Sequence, residues 1–161
     1  MQMKIFTIQS KSLEDTTEIA QKIAPFFHKK DIAVFEGNLG TGKTHFVKFL
    51  AAALGYEGLV TSPTYTIASV YDWADGKILH IDGYRLTSLS DFVDLGLEEY
   101  FEESISMIEW GGEFEEEFSD YLKIKLEYLE AEMSRKITFS YVGERWASDF
   151  EKIKNSLGNE K

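Results

Sequence analysis

The 161-residue chain has no cysteine, two prolines and three arginines (Arg85, Arg135 and Arg145). Without cysteine there is neither a disulfide framework nor a thiolate metal site. Nowhere does it hold the roughly 20 apolar residues in a row that a membrane-spanning helix needs. Met1–Phe6 also lacks the long apolar run of a signal peptide. A cytoplasmic protein that engages no membrane is therefore expected. Positive charge is scarce as well. Seventeen Lys and Arg face 28 Asp and Glu, for a net charge of −11 and a pI near 4.7. Phosphate backbones repel such a surface, so direct, autonomous nucleic-acid binding is not expected. Repeats, low-complexity tracts and linkers are missing too, and residues 1–161 read as one domain. What is present is a core: 43% hydrophobic and 14% aromatic residues suit a packed globule rather than a disordered segment.

One run carries explicit chemistry. Gly37-Asn38-Leu39-Gly40-Thr41-Gly42-Lys43-Thr44 fits G-x-x-x-x-G-K-[ST], the loop that wraps nucleotide phosphates. Polyphosphate needs several backbone N–H donors converging on it, and the glycines leave the close approaches unobstructed. Lys43 is placed to reach the β- and γ-oxygens, and the Thr44 hydroxyl to hold Mg²⁺. The frame agrees. Ile32–Phe35 is a short apolar run before the loop. After it Phe46, Val47, Phe49, Leu50, Ala53 and Leu54 recur at helical spacing up to Gly55.

The remaining pattern is mixed. Ser12–Asp15 resembles a capping box ahead of Ile19, Ala20 and Ile23, with Pro25 ending or kinking that helix. Thr64–Trp73 is rich in β-branched and aromatic residues, and Asp75-Gly76 reads as a hairpin turn before Lys77–Ile81. Ser88–Tyr100 suggests one or two short helices interrupted at Gly96. Ile105–Ile108 is a short buried strand. Leu122, Ile124, Leu126 and Tyr128 alternate along one strand, and 135–142 reads as its partner. Residues 144–157 form a terminal helix with Trp146, Phe150, Ile153 and Leu157 as its apolar stripe. The expected fold is α/β: a small single-domain P-loop NTPase, with a mixed central sheet flanked by helices and antiparallel strands added.

A magnesium site beside such a loop needs a carboxylate at a strand end. Two qualify: Asp82 after Ile78–Ile81, and Glu109 after Ile105–Ile108. Spacing leaves the choice open. His80 shares a strand face with Asp82, and Tyr84-Arg85 follows, offering a planar cation near an acid and a phosphate loop. Thr61-Ser62-Pro63-Thr64-Tyr65-Thr66 packs four Ser and Thr hydroxyls around one proline, a length that suits a loop beside the γ-phosphate. From Glu98 to Asp120 there are ten acidic residues and no Lys or Arg. That stretch reads either as a solvated face or as a docking surface for a basic partner.

In order along the chain stand G-x-L-G-x-G-K-T, T-S-P-T-Y-T (61–66), His80-x-Asp82-x-Tyr84-Arg85-Leu86, Leu95-Gly96-Leu97 with Glu99-Tyr100-Phe101, and Ile108-Glu109-Trp110. From about residue 12 to 110 this resembles the bacterial TsaE (YjeE) family, the ATPase of tRNA threonylcarbamoyladenosine biosynthesis. The resemblance implies that Thr44 and Glu109 bind Mg²⁺, that Lys43 meets the phosphates, and that loop 37–44 holds ATP. It also implies that Asp82 stands near the γ-phosphate as a residue important for hydrolysis. Ser62, Pro63, Thr64, Tyr65 and Thr66 are similar to the family's switch-like loop, with which His80, Tyr84 and Arg85 are grouped. Trp110 matches a tryptophan beside the nucleotide, and an early threonine, Thr16 or its neighbour, and the arginine region near Arg135 match its surroundings. Two positions depart: Gly111-Gly112 follow Trp110 where the family has Pro and an acid, and Asn38 stands where an acid is common.

The resemblance implies an accessory that works with TsaD and TsaB in modifying adenosine 37 of tRNA, hydrolysing ATP without transferring the carbamoyl group. The acidic surface suits leaving tRNA to those partners. Two other uses of the same loop are a small-molecule kinase and a nucleotide-gated switch with negligible turnover. Kinases usually close arginines over the phosphates, and three arginines with no Arg-rich lid segment argue against the first. No Asn-Lys-x-Asp element reads guanine, so adenine is preferred.

Overall fold

A computed structural model of the chain describes residues 4–38, 40–60, 68–83, 94, 96, 98–109, 118–131 and 133–158. Seven strands form one sheet: β1 (Ile5–Ser10), β2 (Ile32–Glu36), β3 (Ala68–Trp73), β4 (Gly76–Asp82), β5 (Ser104–Glu109), β6 (Tyr121–Tyr128) and β7 (Arg135–Val142). Their order is β1-β7-β6-β2-β5-β4-β3. The centre is parallel, with β2 between β6 and β5, and β4 beyond β5. Antiparallel strands close the flanks: β7 on β6, β1 on β7, and β3 on β4. This is the expected mixed sheet with antiparallel additions.

Three helices of eight or more residues are described: α1 (Leu13–Ile23), α2 (Lys43–Leu54) and α3 (Ala147–Gly158). Strand alternation decides what they cover, because successive side chains point to opposite faces. Ala33 and Phe35 of β2, Ile105 and Met107 of β5, Leu122, Ile124 and Leu126 of β6, and Ile137 and Phe139 of β7 share one cluster with the helices. Leu79, Ile81 and Ile108 belong to the opposite face, packed by Tyr100, Phe101 and Phe118.

Local chemistry sets the ends of α1. Ser12 Oγ accepts the Asp15 N–H at 3.1 Å, and the Asp15 carboxylate accepts from the Lys11 N–H at 2.8 Å. The reciprocal cap thus reaches one residue further back than the usual box. Pro25 sits in a 3₁₀ turn, Ala24–Phe26, that succeeds the α-helix.

Three sequence expectations shift. The β3–β4 turn is Ala74-Asp75 rather than Asp75-Gly76, since Gly76 already pairs with Trp73. A side chain at Gly76 would meet the Glu103 carbonyl at 2.7 Å, so close packing explains that glycine. On α2, Ala51 rather than Ala53 faces the core, because Phe46, Val47 and Leu50 set the buried stripe. The terminal helix starts at Ala147, with Trp146 fully buried just before it. Residues 64–67, and most of the 88–97 segment expected to be helical, lie outside the described residues.

One polar clamp ties the end of the chain to the sheet. The Arg145 guanidinium donates to both oxygens of Asp31 at 2.7 and 2.8 Å, to Asp149 at 2.9 Å and to the Phe26 carbonyl at 2.7 Å. It also lies 4.2 Å over the Trp146 ring. Asp31 is buried just ahead of β2. Removing the cation would strand a buried carboxylate, which typically costs about 3 kcal/mol or more. Arg145→Ala should therefore lower unfolding stability by about that amount in urea titration. Lys4→Ala, which breaks an ion pair with Glu151 that is half exposed on both sides, should change it by less than about 1 kcal/mol.

Candidate functional site

The phosphate loop begins where β2 ends. Gly37 has φ +155°, and a Cβ there would stand 2.6 Å from both the Leu126 carbonyl and Thr41 Oγ1. β6 thus presses on the loop from one side, and only glycine fits. Gly40, at φ +82°, carries the same message. A Cβ would meet the Tyr128 hydroxyl at 2.5 Å, so the aromatic end of β6 lies against the loop. Within it, Thr41 Oγ1 donates to the Asn38 carbonyl at 2.7 Å and its N–H to the same oxygen at 3.2 Å.

Lys43 opens α2 and is buried. Its ammonium donates to the Gly37 carbonyl at 2.7 Å and the Asn38 carbonyl at 3.1 Å. The cation is therefore held inside the curve of the loop. Burial lowers its pKa from the ordinary lysine value, and attraction to Glu109 opposes that shift. The next residue points elsewhere: Thr44 Oγ1 contacts both Glu109 oxygens, at 2.9 and 3.0 Å.

The two carboxylates that spacing left open are register partners. Asp82 ends β4 opposite Glu109, which ends β5, and Glu109 lies opposite Phe35 of the loop strand. Parallel pairing thus sets both acids at the same height as the start of the loop. They point to the same sheet face, and both are buried. β5 adjoins β2 directly while β4 is one strand further out, so Glu109 is the nearer and is the one that meets Thr44. His80, fully buried, shares that face. Its Nε2 lies 2.5 Å from Glu109 Oε2, and its Nδ1 lies 3.1 Å from the Tyr71 hydroxyl of β3.

A threonine hydroxyl and a carboxylate converging at a helix start are hard oxygen donors, and they fit Mg²⁺. Among the described residues no cluster of three or more His, Cys, Asp or Glu could hold a metal by itself.

Beside the loop lies a cavity of about 180 Å³. Gly40, Thr41 and Gly42 form one wall, Leu13 and Thr16 of α1 another, and Leu126, Met133 and Arg135 a third. Thr16 and Arg135, far apart in sequence, therefore meet at the loop. Thr16 is fixed by Ser10, whose Oγ lies 2.6 Å from its own. Arg135 donates to the Thr41 carbonyl at 3.0 Å and stacks over Tyr128, 4.7 Å from the ring centroid.

Leu39, Ser62, Pro63, Thr64, Tyr65, Thr66, Tyr84, Arg85 and Trp110 lie outside the described residues, as do 111–117 of the acidic stretch. Sequence reasoning missed Tyr71, Tyr128 and Met133. Tyr128 had a signal, as the aromatic at the end of an alternating strand. Met133, at φ +66°, and Tyr71 had none, since each depends on which strands become neighbours.

The chain matches the family described as threonylcarbamoyl adenosine biosynthesis protein TsaE over residues 10–137. It is 36% identical over 138 residues to the tRNA threonylcarbamoyladenosine biosynthesis protein TsaE of Streptomyces coelicolor, covering 81% of this chain and 93% of that one. To the Bacillus subtilis protein of the same name it is 38% identical over 135 residues, covering 83% and 84%. The crystal structure of YdiB from Bacillus subtilis superposes with a TM-score of 0.79 at 30% identity, covering 96% of this chain and 97% of that one. Glycine loop, paired strand-end acids and sequence likeness agree: the chain belongs to the TsaE family, P-loop proteins that take part in making threonylcarbamoyladenosine in tRNA.

Proposed function

We propose that the protein binds and hydrolyses Mg²⁺-ATP as an accessory subunit that works in the cytoplasm with TsaD and TsaB on adenosine 37 of tRNA. The observation that carries this reading is the meeting of Thr44 and Glu109 at the mouth of a glycine loop that already encloses Lys43. Lys43 supplies a fixed cation for the β- and γ-phosphates, and the loop and the start of α2 supply backbone donors. Thr44 and Glu109 would hold Mg²⁺, which when bound neutralises charge on those phosphates. Asp82, one strand further from the loop, is the acceptor that orients the attacking water. The cavity suits the adenine base, with Leu13, Leu126 and Met133 as apolar walls and Thr16 and Arg135 as polar edges.

The charge balance supports a partnered role. Phosphoryl transfer develops negative charge in its transition state. A chain with net charge −11 and three arginines has little positive charge of its own to answer it. Residues 61–66, Tyr84 and Arg85 are assigned to sensing the γ-phosphate, and Trp110 to the nucleotide's side. The acidic stretch 98–120 is the proposed docking surface.

Lys43→Ala should weaken ATP binding by at least about tenfold in calorimetric titration, as expected when a charged hydrogen-bonding group worth about 1.5–3 kcal/mol is lost. Its melting temperature should stay close to wild type. Glu109→Ala should abolish the Mg²⁺ dependence of ATP binding, whereas Asp82→Ala should spare binding and lower hydrolysis; the reverse pattern would exchange the two roles. Hydrolysis should be slow for the isolated chain and faster when TsaD and TsaB are added. Completing such a site from another chain raises turnover by about 10³–10⁵ in arginine-finger systems. Steady-state phosphate release with and without the pair measures it.

A further inference from the structure

Glu109 is held from two sides. Thr44 approaches from the loop, and on the other side a buried line of side chains runs back through the sheet. His80 Nε2 lies 2.5 Å from Glu109 Oε2. The Tyr71 hydroxyl lies 3.1 Å from His80 Nδ1. Tyr71 in turn stacks on Tyr56 at 4.8 Å between ring centroids, with 27° between the planes. His80 is fully buried and Tyr71 is 7% exposed, so water competes little for these contacts.

The arrangement is specific in its chemistry. A carboxylate offers only acceptors, so the His80 nitrogen facing it must be the donor. The other ring nitrogen faces Tyr71, whose hydroxyl can both donate and accept. Rotating the ring would place carbon atoms against the Glu109 carboxylate and the Tyr71 hydroxyl, losing both contacts in a dry site. A glutamate has three rotatable side-chain bonds, and contacts from Thr44 to both carboxylate oxygens and from His80 to Oε2 remove most of that freedom. Metal-binding carboxylates are commonly held this way by outer hydrogen bonds, whose loss typically costs about 10–100-fold in metal affinity.

We infer that His80 and Tyr71 are positioning residues for the metal carboxylate: together they orient Glu109 so that it and Thr44 present oxygens to one ion. Neither touches nucleotide, and their effect passes through Glu109. The inference rests on the assignment of Glu109 to Mg²⁺ made above and adds two residues to it. Tyr71 belongs to an antiparallel edge strand remote in sequence from the phosphate loop.

The test measures binding of a fluorescent ATP analogue to the full chain as Mg²⁺ is titrated, and again in EDTA. Tyr71→Phe keeps the ring and its stacking on Tyr56 but removes the hydroxyl. It should raise the Mg²⁺ concentration for half-maximal tightening several-fold, leaving the EDTA affinity and melting temperature near wild type. His80→Leu should shift the midpoint by about 10–100-fold, and His80→Gln, whose amide can still donate to Glu109, should recover part of that shift. If His80→Leu does not fold, Tyr71→Phe and His80→Gln carry the test. An unchanged Mg²⁺ midpoint in Tyr71→Phe and in whichever His80 variant folds would overturn the inference. So would an equal loss of affinity with and without Mg²⁺, which is the mark of a merely structural role. A wild-type chain whose nucleotide affinity ignores Mg²⁺ would instead overturn the metal assignment itself.

Discussion

Parallel pairing of β4, β5 and β2 is the constraint from which the site follows. The register sets Asp82 opposite Glu109 and Glu109 opposite Phe35, so the two acids and the start of the phosphate loop lie at one level of the sheet. A slip of one residue on β5 would turn Glu109 to the opposite face and bring Ile108 to the loop. The register is held by burial on both faces: all six residues of β5 are buried, as a central parallel strand requires. Core packing and site geometry are thus the same interaction viewed from two ends.

The loop itself carries conformational and desolvation costs that its neighbours offset. It holds glycines in conformations that other residues rarely adopt, and it buries a lysine whose charge is penalised by desolvation. The compensation comes from β6 and the start of β7. Leu126 closes against Gly37, Tyr128 lies against Gly40, and Arg135, stacked on Tyr128, donates to Thr41. At the opposite, amino-terminal end of β2, Asp31 is gripped by Arg145. The strand that delivers the loop is therefore anchored at its origin by a buried ion pair and at its end by packing.

Much of this was legible in the sequence, and the failures have physical causes. The loop could be read because phosphate binding demands particular residues at fixed local offsets, and α2 because its apolar positions repeat at 3.6. The β3–β4 turn was misplaced by one residue. Asp-Gly is a good turn dipeptide, but Gly76 is required by the approach of the Glu103 carbonyl, a contact from the 3₁₀ turn Glu98–Glu103 that precedes β5. Ala53 recurs at helical spacing with the apolar residues of α2, yet it is exposed. Only burial in the folded chain shows that Ala51 is the one inside.

Local chemistry in the sequence determined the glycine loop, its flanking strand and helix, the cap of α1, and the two acids as strand ends. These depend on residues within a few positions of one another, where backbone geometry alone sets the spacing. The tertiary structure decided that Glu109 rather than Asp82 meets Thr44, because β5 and not β4 is the neighbour of β2. It also decided that Thr16 and Arg135 share one cavity with the loop, and that His80 faces Glu109 with Tyr71 behind it. Strand order is a choice among long-range pairings, settled by how the strands and helices bury their apolar faces together, and no local pattern encodes it.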